Sequence, residues 1–128
     1  MIIEGRVFKF GDDINTDYII SGRYKFSITD MRELSKRIFE DIRPDFASQI
    51  QPNRTIIVAG KNFGCGSSRE QAPLAIREAG IGAVVAKSFA RIFYRNAFNI
   101  GLALIEADTT DIKEDHYLRI DLDTSEIV

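Results

Sequence analysis

From Arg54 to Ile105 the chain alternates short apolar runs with longer amphipathic stretches, and only a few residues join one to the next. Arg54 to Ala59 (RTIIVA) is β-branched and apolar almost throughout, the pattern of a strand buried on both faces. Ala72 to Ala79 reads as a helix stopped by Gly80 and Gly82, and Ala83 to Ala86 as a second buried strand. Ser88 to Asn99 reads as a second helix with Ser88 as its cap, and Leu102 to Ile105 as a third strand. Strand–helix–strand–helix–strand with short joins leaves few folds open. It predicts right-handed crossovers and a parallel sheet, an α/β protein with a βαβαβ core.

The remaining segments attach to that core. Ile2 to Phe10 reads as one or two short strands, ended by the turn chemistry of Gly11-Asp12-Asp13. Asp30-Met31-Arg32-Glu33 has capping-box spacing, and Met31, Leu34 and Ile38 share a helical face; this helix ends before Pro44. Asp41 to Asn53, with two of the three prolines, reads as an irregular connection. Tyr117 to Asp123 alternates through Leu118, Ile120 and Leu122 and predicts an antiparallel edge strand. With 128 residues, 45% of them apolar, a single domain over 1–128 is expected.

Several function classes drop out. A net charge of -2 exerts no general pull on nucleic acid or anionic lipid. No apolar run is long enough to span a bilayer and no leader opens the chain, so a cytoplasmic protein is expected. One cysteine, Cys65, can neither close an internal disulfide nor hold zinc or an iron–sulfur cluster by itself. The one histidine, His116, lies in the polar stretch Asp115-His116-Tyr117 and reads as a surface residue.

The chemistry concentrates in Gly60 to Glu70 (GKNFGCGSSRE), where seven positions hold three of the nine glycines. The loop follows a buried strand and precedes a helix, the place where open parallel sheets bind ligands. Its glycines permit positive φ and let backbone N–H groups converge on an anion. A Walker loop is excluded by the missing lysine, and a dinucleotide fingerprint by Arg69 at the third glycine position. A nucleophile elbow is excluded because no glycine follows Ser67 or Ser68 at the needed spacing. Ser67 and Glu70 also have capping-box spacing, but a helix capped by Ser67 would carry Pro73 beyond its first turn. A start nearer Pro73 leaves Ser67, Ser68 and Arg69 on the glycine-rich lip.

Three blocks carry a family resemblance: Asp13-Ile14-Asn15-Thr16-Asp17, Phe63 to Pro73 (FGCGSSREQAP) and Ala86 to Asn96 (AKSFARIFYRN). In this order they resemble the swivel domain of the aconitase superfamily, in the form of the free-standing small subunits of 3-isopropylmalate isomerases and homoaconitases. The resemblance implies a swivelling β/β/α domain like the fourth domain of aconitase. It also implies a large partner subunit that carries a 4Fe–4S cluster, and a small hydroxy-diacid as substrate. This chain would bring no cofactor and no metal ligand of its own, and neither nucleic acid nor membrane is expected as a partner.

Ser67 maps onto the family's catalytic base, with Gly66, Ser68, Arg69, Thr16 and Asp17 on substrate-binding positions. A serine without a histidine acts as a base only where its alkoxide is strongly stabilised, and converging amides with an arginine are a suitable source. Asp17 would orient a cationic or hydroxyl partner, whereas Asn15-Thr16-Asp17 as bare sequence is more often a turn. Cys65 maps onto no cluster ligand. Arg91 and Arg95 stay without a role, a solvated helix face or a subunit contact.

By the same resemblance, Arg23, Tyr24, Lys25 and Phe26 form the specificity loop, with Phe26 at the discriminating position. An apolar residue there favours the isopropyl group over a further carboxylate, which would need a cation. The expected reaction is interconversion of 2- and 3-isopropylmalate by dehydration and rehydration, a step of leucine biosynthesis. Lys25 and Arg23 keep a homoaconitase activity open, and a non-catalytic swivel-fold binding module is the alternative of another class. Small subunits of this family usually continue into a C-terminal helical segment, whereas this chain stops at Ser125-Glu126-Ile127-Val128.

Overall fold

The computed structural model describes residues 2–21, 30–66, 70–124 and 126–127. Six strands form one mixed sheet: β1 (Ile2–Lys9), β2 (Thr55–Ala59), β3 (Ile81–Ala86), β4 (Ala103–Glu106), β5 (Tyr117–Asp121) and β6 (Glu126–Ile127). Their spatial order is β4-β3-β2-β1-β5-β6. Strands β1 to β4 run parallel, with Lys9 opposite Val58, Ala59 opposite Ala86, and Ala86 opposite Glu106. Their carboxyl ends therefore share one end of the sheet. Helices α4 (Gln71–Glu78) and α5 (Arg91–Asn99) make the two crossovers of the expected βαβαβ core. Three short helices, α1 (Thr16–Ile19), α2 (Met31–Ser35) and α3 (Phe46–Gln49), lie between β1 and β2.

Each new parallel strand joins on the same side of its predecessor, so crossovers of one hand put the helices on one face. On that face Phe8, Ile57, Val84 and Ala86 pack with Ala75 and Ile76 of α4, Phe93 and Ala97 of α5, and Phe39 and Phe46. The other face, with Val7, Ile56, Val58, Ala83 and Val85, is apolar too and needs a different cover. Leu118, Ile120 and Ile127 from one edge of the sheet join Ile105 and Ala107 from the other in this second cluster. Opposite edges meet because the sheet curls over itself, which is the β/β/α arrangement. Doubly covered, β2 is buried at every position.

A clasp holds the connection between β4 and β5. Glu114 accepts both guanidinium nitrogens of Arg43 and, at 2.7 Å, the Lys9 backbone N–H. The Arg43 guanidinium also lies 5.0 Å from the centre of the Phe8 ring.

The differences from expectation are local. The opening segment is one strand, because its N-terminal half pairs with β5 and its C-terminal half with β2. Strand β5 is not an edge: β6 pairs outside it, a two-residue contact too short to show as a periodic pattern. The connection over 41–53 contains the single turn of α3, anchored by the buried Phe46. The Asp30 carboxylate caps α2 by accepting the Arg32 N–H at 2.9 Å, but regular helix ends at Ser35 and turns carry the chain to the buried Ile38 and Phe39.

Candidate functional site

Strand β2 lies between β1 and β3, so the segment leaving it is flanked by the segments leaving its neighbours. Residues 60–66 are strapped on both sides by backbone hydrogen bonds. On the β1 side Gly60 N–H donates to Gly11, Asp13 N–H to Lys61, Gly64 N–H to Ile14 and Thr16 N–H to Cys65, at 2.8–3.1 Å. On the β3 side Lys87 N–H donates to Gly60, Phe63 N–H to Ser88 and Ala90 N–H to Phe63, at 2.9–3.0 Å. The glycine-rich segment is thus held like a strand without regular strand geometry.

The side chains complete the strap. Ser88 Oγ accepts the Asn62 N–H at 2.8 Å and is not the cap of α5, which begins at Arg91 after Ala90. That corrects the expected role and start: the loop takes the hydroxyl first. Asn62 Nδ2 donates to Asp13 Oδ1 at 3.2 Å, and both residues have positive φ, 61° and 54°. Asn and Asp tolerate that conformation best among non-glycine residues. Gly64 and Gly66 have φ of 85° and 93°. A Cβ at Gly64 would overlap the Phe93 ring, and one at Gly66 would press on the Asn15 amide.

Of the expected site residues, the structure brings Gly66 and Thr16 together. Thr16 is 1% exposed and starts α1, whose cap Asn15 accepts the Asp17 N–H at 2.8 Å. Asp17 is exposed on the first turn of α1. Thr16 and Gly66 line a cleft of about 210 Å³ with Gly64, Ala90, Arg91, Ile92, Phe93 and Asn96. Ser67, Ser68 and Arg69 lie outside the described residues, as do Arg23, Tyr24, Lys25 and Phe26. Helix α4 starts at Gln71 after Glu70, which puts Pro73 in the first turn, where a missing N–H costs no helical hydrogen bond. Asn96 is a cleft residue that sequence reasoning did not single out; its place on the helix face toward the cleft was the available signal.

A metal cluster finds no ligand set here. The chain has one cysteine, and among the described residues no three His, Cys, Asp or Glu side chains stand together as a metal site. Burial and, after it, the Asp13 carboxylate push the Cys65 thiol above its ordinary range, away from a thiolate. His116 accepts the Lys113 N–H at 3.1 Å in an exposed turn, far along the chain from the strapped loop.

Comparisons with known proteins bear on the family and the fold. The family model of the aconitase C-terminal domain matches residues 21–110. The small subunit 2 of 3-isopropylmalate dehydratase from Archaeoglobus fulgidus is 56% identical over 122 residues, covering 95% of this chain and 73% of that protein. The methanogen homoaconitase small subunit of Methanocaldococcus jannaschii is 55% identical over 128 residues, covering 100% of this chain and 74% of that protein. A crystal structure of 3-isopropylmalate dehydratase from M. jannaschii superposes with a TM-score of 0.96 at 55% identity, over 100% of this chain and 75% of that one.

Proposed function

This chain belongs to the aconitase C-terminal domain family, and from that premise we propose that it is the small subunit of a 3-isopropylmalate dehydratase, a hydro-lyase that interconverts 2- and 3-isopropylmalate. The carrying observation is the similarity, at 50–57% identity, to small subunits of that name. The Gly66-Ser67-Ser68-Arg69 sequence stands directly after the strapped loop. The whole chain, 1–128, is read as one domain.

In this reading Ser67, as its alkoxide, takes the proton from the carbon beside a substrate carboxylate and becomes the neutral hydroxyl. The electron pair left on carbon forms the double bond as hydroxide leaves the adjacent carbon. Readdition of water with the opposite regiochemistry returns the proton and gives the isomer. Gly66 lets the backbone approach the substrate, Ser68 and Thr16 offer hydroxyl donors, and Asp17 orients a cationic or hydroxyl partner. Arg69 grips a carboxylate with two parallel N–H bonds and offsets the Ser67 charge. The 4Fe–4S cluster belongs to a large partner subunit in this reading, since a single cysteine cannot hold one by itself. The complex works in the cytoplasm.

The test is the reconstituted pair. Ser67→Ala is expected to lower turnover of 3-isopropylmalate by about two to four orders of magnitude with folding and subunit association retained. Full activity in that variant overturns the assignment of the base. A homoaconitase is the second reading, favoured by the 55% identity to the methanogen homoaconitase small subunit. Relative turnover of isopropylmalate and homocitrate separates the two.

A further inference from the structure

We infer that Arg91, with the Asn96 amide lining the same cleft, is a carboxylate-binding residue for the substrate. This deepens the function proposed above and rests on it. Arg91 is the one charged residue among the described residues that line the cleft, where it stands with Gly64, Gly66 and Thr16. Among the described residues its side chain has no hydrogen-bond or ion-pair partner, and neither does that of Asn96. Glu106 lines a second hollow together with Arg91 but makes no ion pair with it.

An exposed arginine is ordinary; an unpaired one at the wall of a cleft with no lining carboxylate is set up for an anion. Ala90, Ile92 and Phe93 supply apolar walls around it. Once a partner closes the cleft, such walls lower the local dielectric and strengthen the attraction between guanidinium and carboxylate. A carboxylate enclosed there without a cation would be desolvated and unpaired, which is costly. Arg91 answers that need with a planar fork, and Asn96 adds a neutral donor on the same wall. Both side chains are ligand-binding in this proposal, and neither moves a proton.

The experiment uses the reconstituted pair with Arg91→Gln, Arg91→Lys and Ser67→Ala, and succinate as an unreactive dicarboxylate probe. Arg91→Gln is expected to raise KM for isopropylmalate and the inhibition constant of succinate together by about tenfold or more, with kcat within about threefold of wild type. Arg91→Lys recovers part of the loss, since a point charge lacks the fork. Melting temperature and affinity for the large subunit stay unchanged. The proposal is overturned if Arg91→Gln leaves KM and the succinate constant at wild-type values. It is overturned equally if the KM rise disappears at saturating large subunit, which makes Arg91 a subunit contact. Wild-type turnover and Ser67→Ala separate the levels. If the wild-type pair does not turn over isopropylmalate, the proposed function fails, and if Ser67→Ala stays active, only the base assignment fails. If Ser67→Ala is inactive while Arg91→Gln is silent, only the Arg91 role fails.

Discussion

A methyl group at Gly64 has nowhere to go: the Phe93 ring occupies its place, and the backbone φ of 85° already disfavours any side chain. Gly64→Ala is therefore expected to destabilise the chain by roughly 2–4 kcal/mol, from overpacking and left-handed strain together. Chemical denaturation measures this, and an unchanged unfolding midpoint would mean that the loop and α5 separate easily. At position 26 the question is specificity. Phe26→Arg puts a guanidinium where the isopropyl group is proposed to sit. It is expected to swing preference from isopropylmalate towards homocitrate by on the order of 2 kcal/mol, less if Lys25 already supplies part of that charge. Competition assays with the reconstituted pair read the ratio, and an unmoved ratio removes Phe26 from the specificity site. The need for glycine at 64 and 66 was legible from residue type alone. The identity of what crowds them, Phe93 and Asn15, was not, because those contacts cross between loops far apart in the chain.

Among the contacts that hold the segment between β4 and β5, the Arg43–Glu114 clasp titrates. The Arg43 guanidinium, hydrogen-bonded to Glu114, holds its carboxyl below its ordinary value of 4.5 against the opposing effect of burial. The Lys9 N–H and the charges of Arg43 and Arg6 add to the lowering. With the folded value depressed, Glu114 contributes stability that is fully present above its ordinary value and is lost as pH falls through the folded one. The pair is partly open to water, at 28% and 37% side-chain exposure, so screening keeps the effect modest. Urea midpoints taken from about pH 7 down to about pH 3 are expected to fall less steeply for Glu114→Gln than for wild type, with the variant already weaker at neutral pH. Parallel curves for the two proteins would remove the clasp from the acid response. Helices α4 and α5 were readable from periodicity to within a few residues. The start of α5 was not, because Ser88 looks like a cap in sequence and its hydroxyl instead receives the Asn62 N–H.

At the scale of the molecule, the proposed function makes the chain half of a site. The cleft lies where the chain leaves the carboxyl ends of the parallel strands. The purified chain alone is expected to be colourless, iron-free and inactive, and to support turnover only when a cluster-bearing large subunit is added. Absorbance, metal analysis and assay of the separated and mixed subunits check this. Stoichiometric iron on the isolated chain would contradict the two-subunit reading, since its one cysteine cannot hold a cluster. The curled sheet suits such a role. With both apolar faces covered within the chain, the sheet needs no partner to bury its core.

Local chemistry specified the order of strands and helices from Arg54 to Ile105, the loop on which ligand chemistry concentrates, and the family resemblance. Periodicity, glycine content and short motifs are properties of neighbouring residues, so a linear reading captures them. Packing across the sheet decided the rest. That β5 lies inside the sheet depends on two residues of β6 pairing with Ile120 and Asp121. That Arg91 shares a cleft with Thr16 and Gly66 depends on β2 lying between β1 and β3, which brings three loops distant in sequence side by side. Such contacts come from burying two apolar faces at once, a constraint on the whole sheet that no single segment expresses.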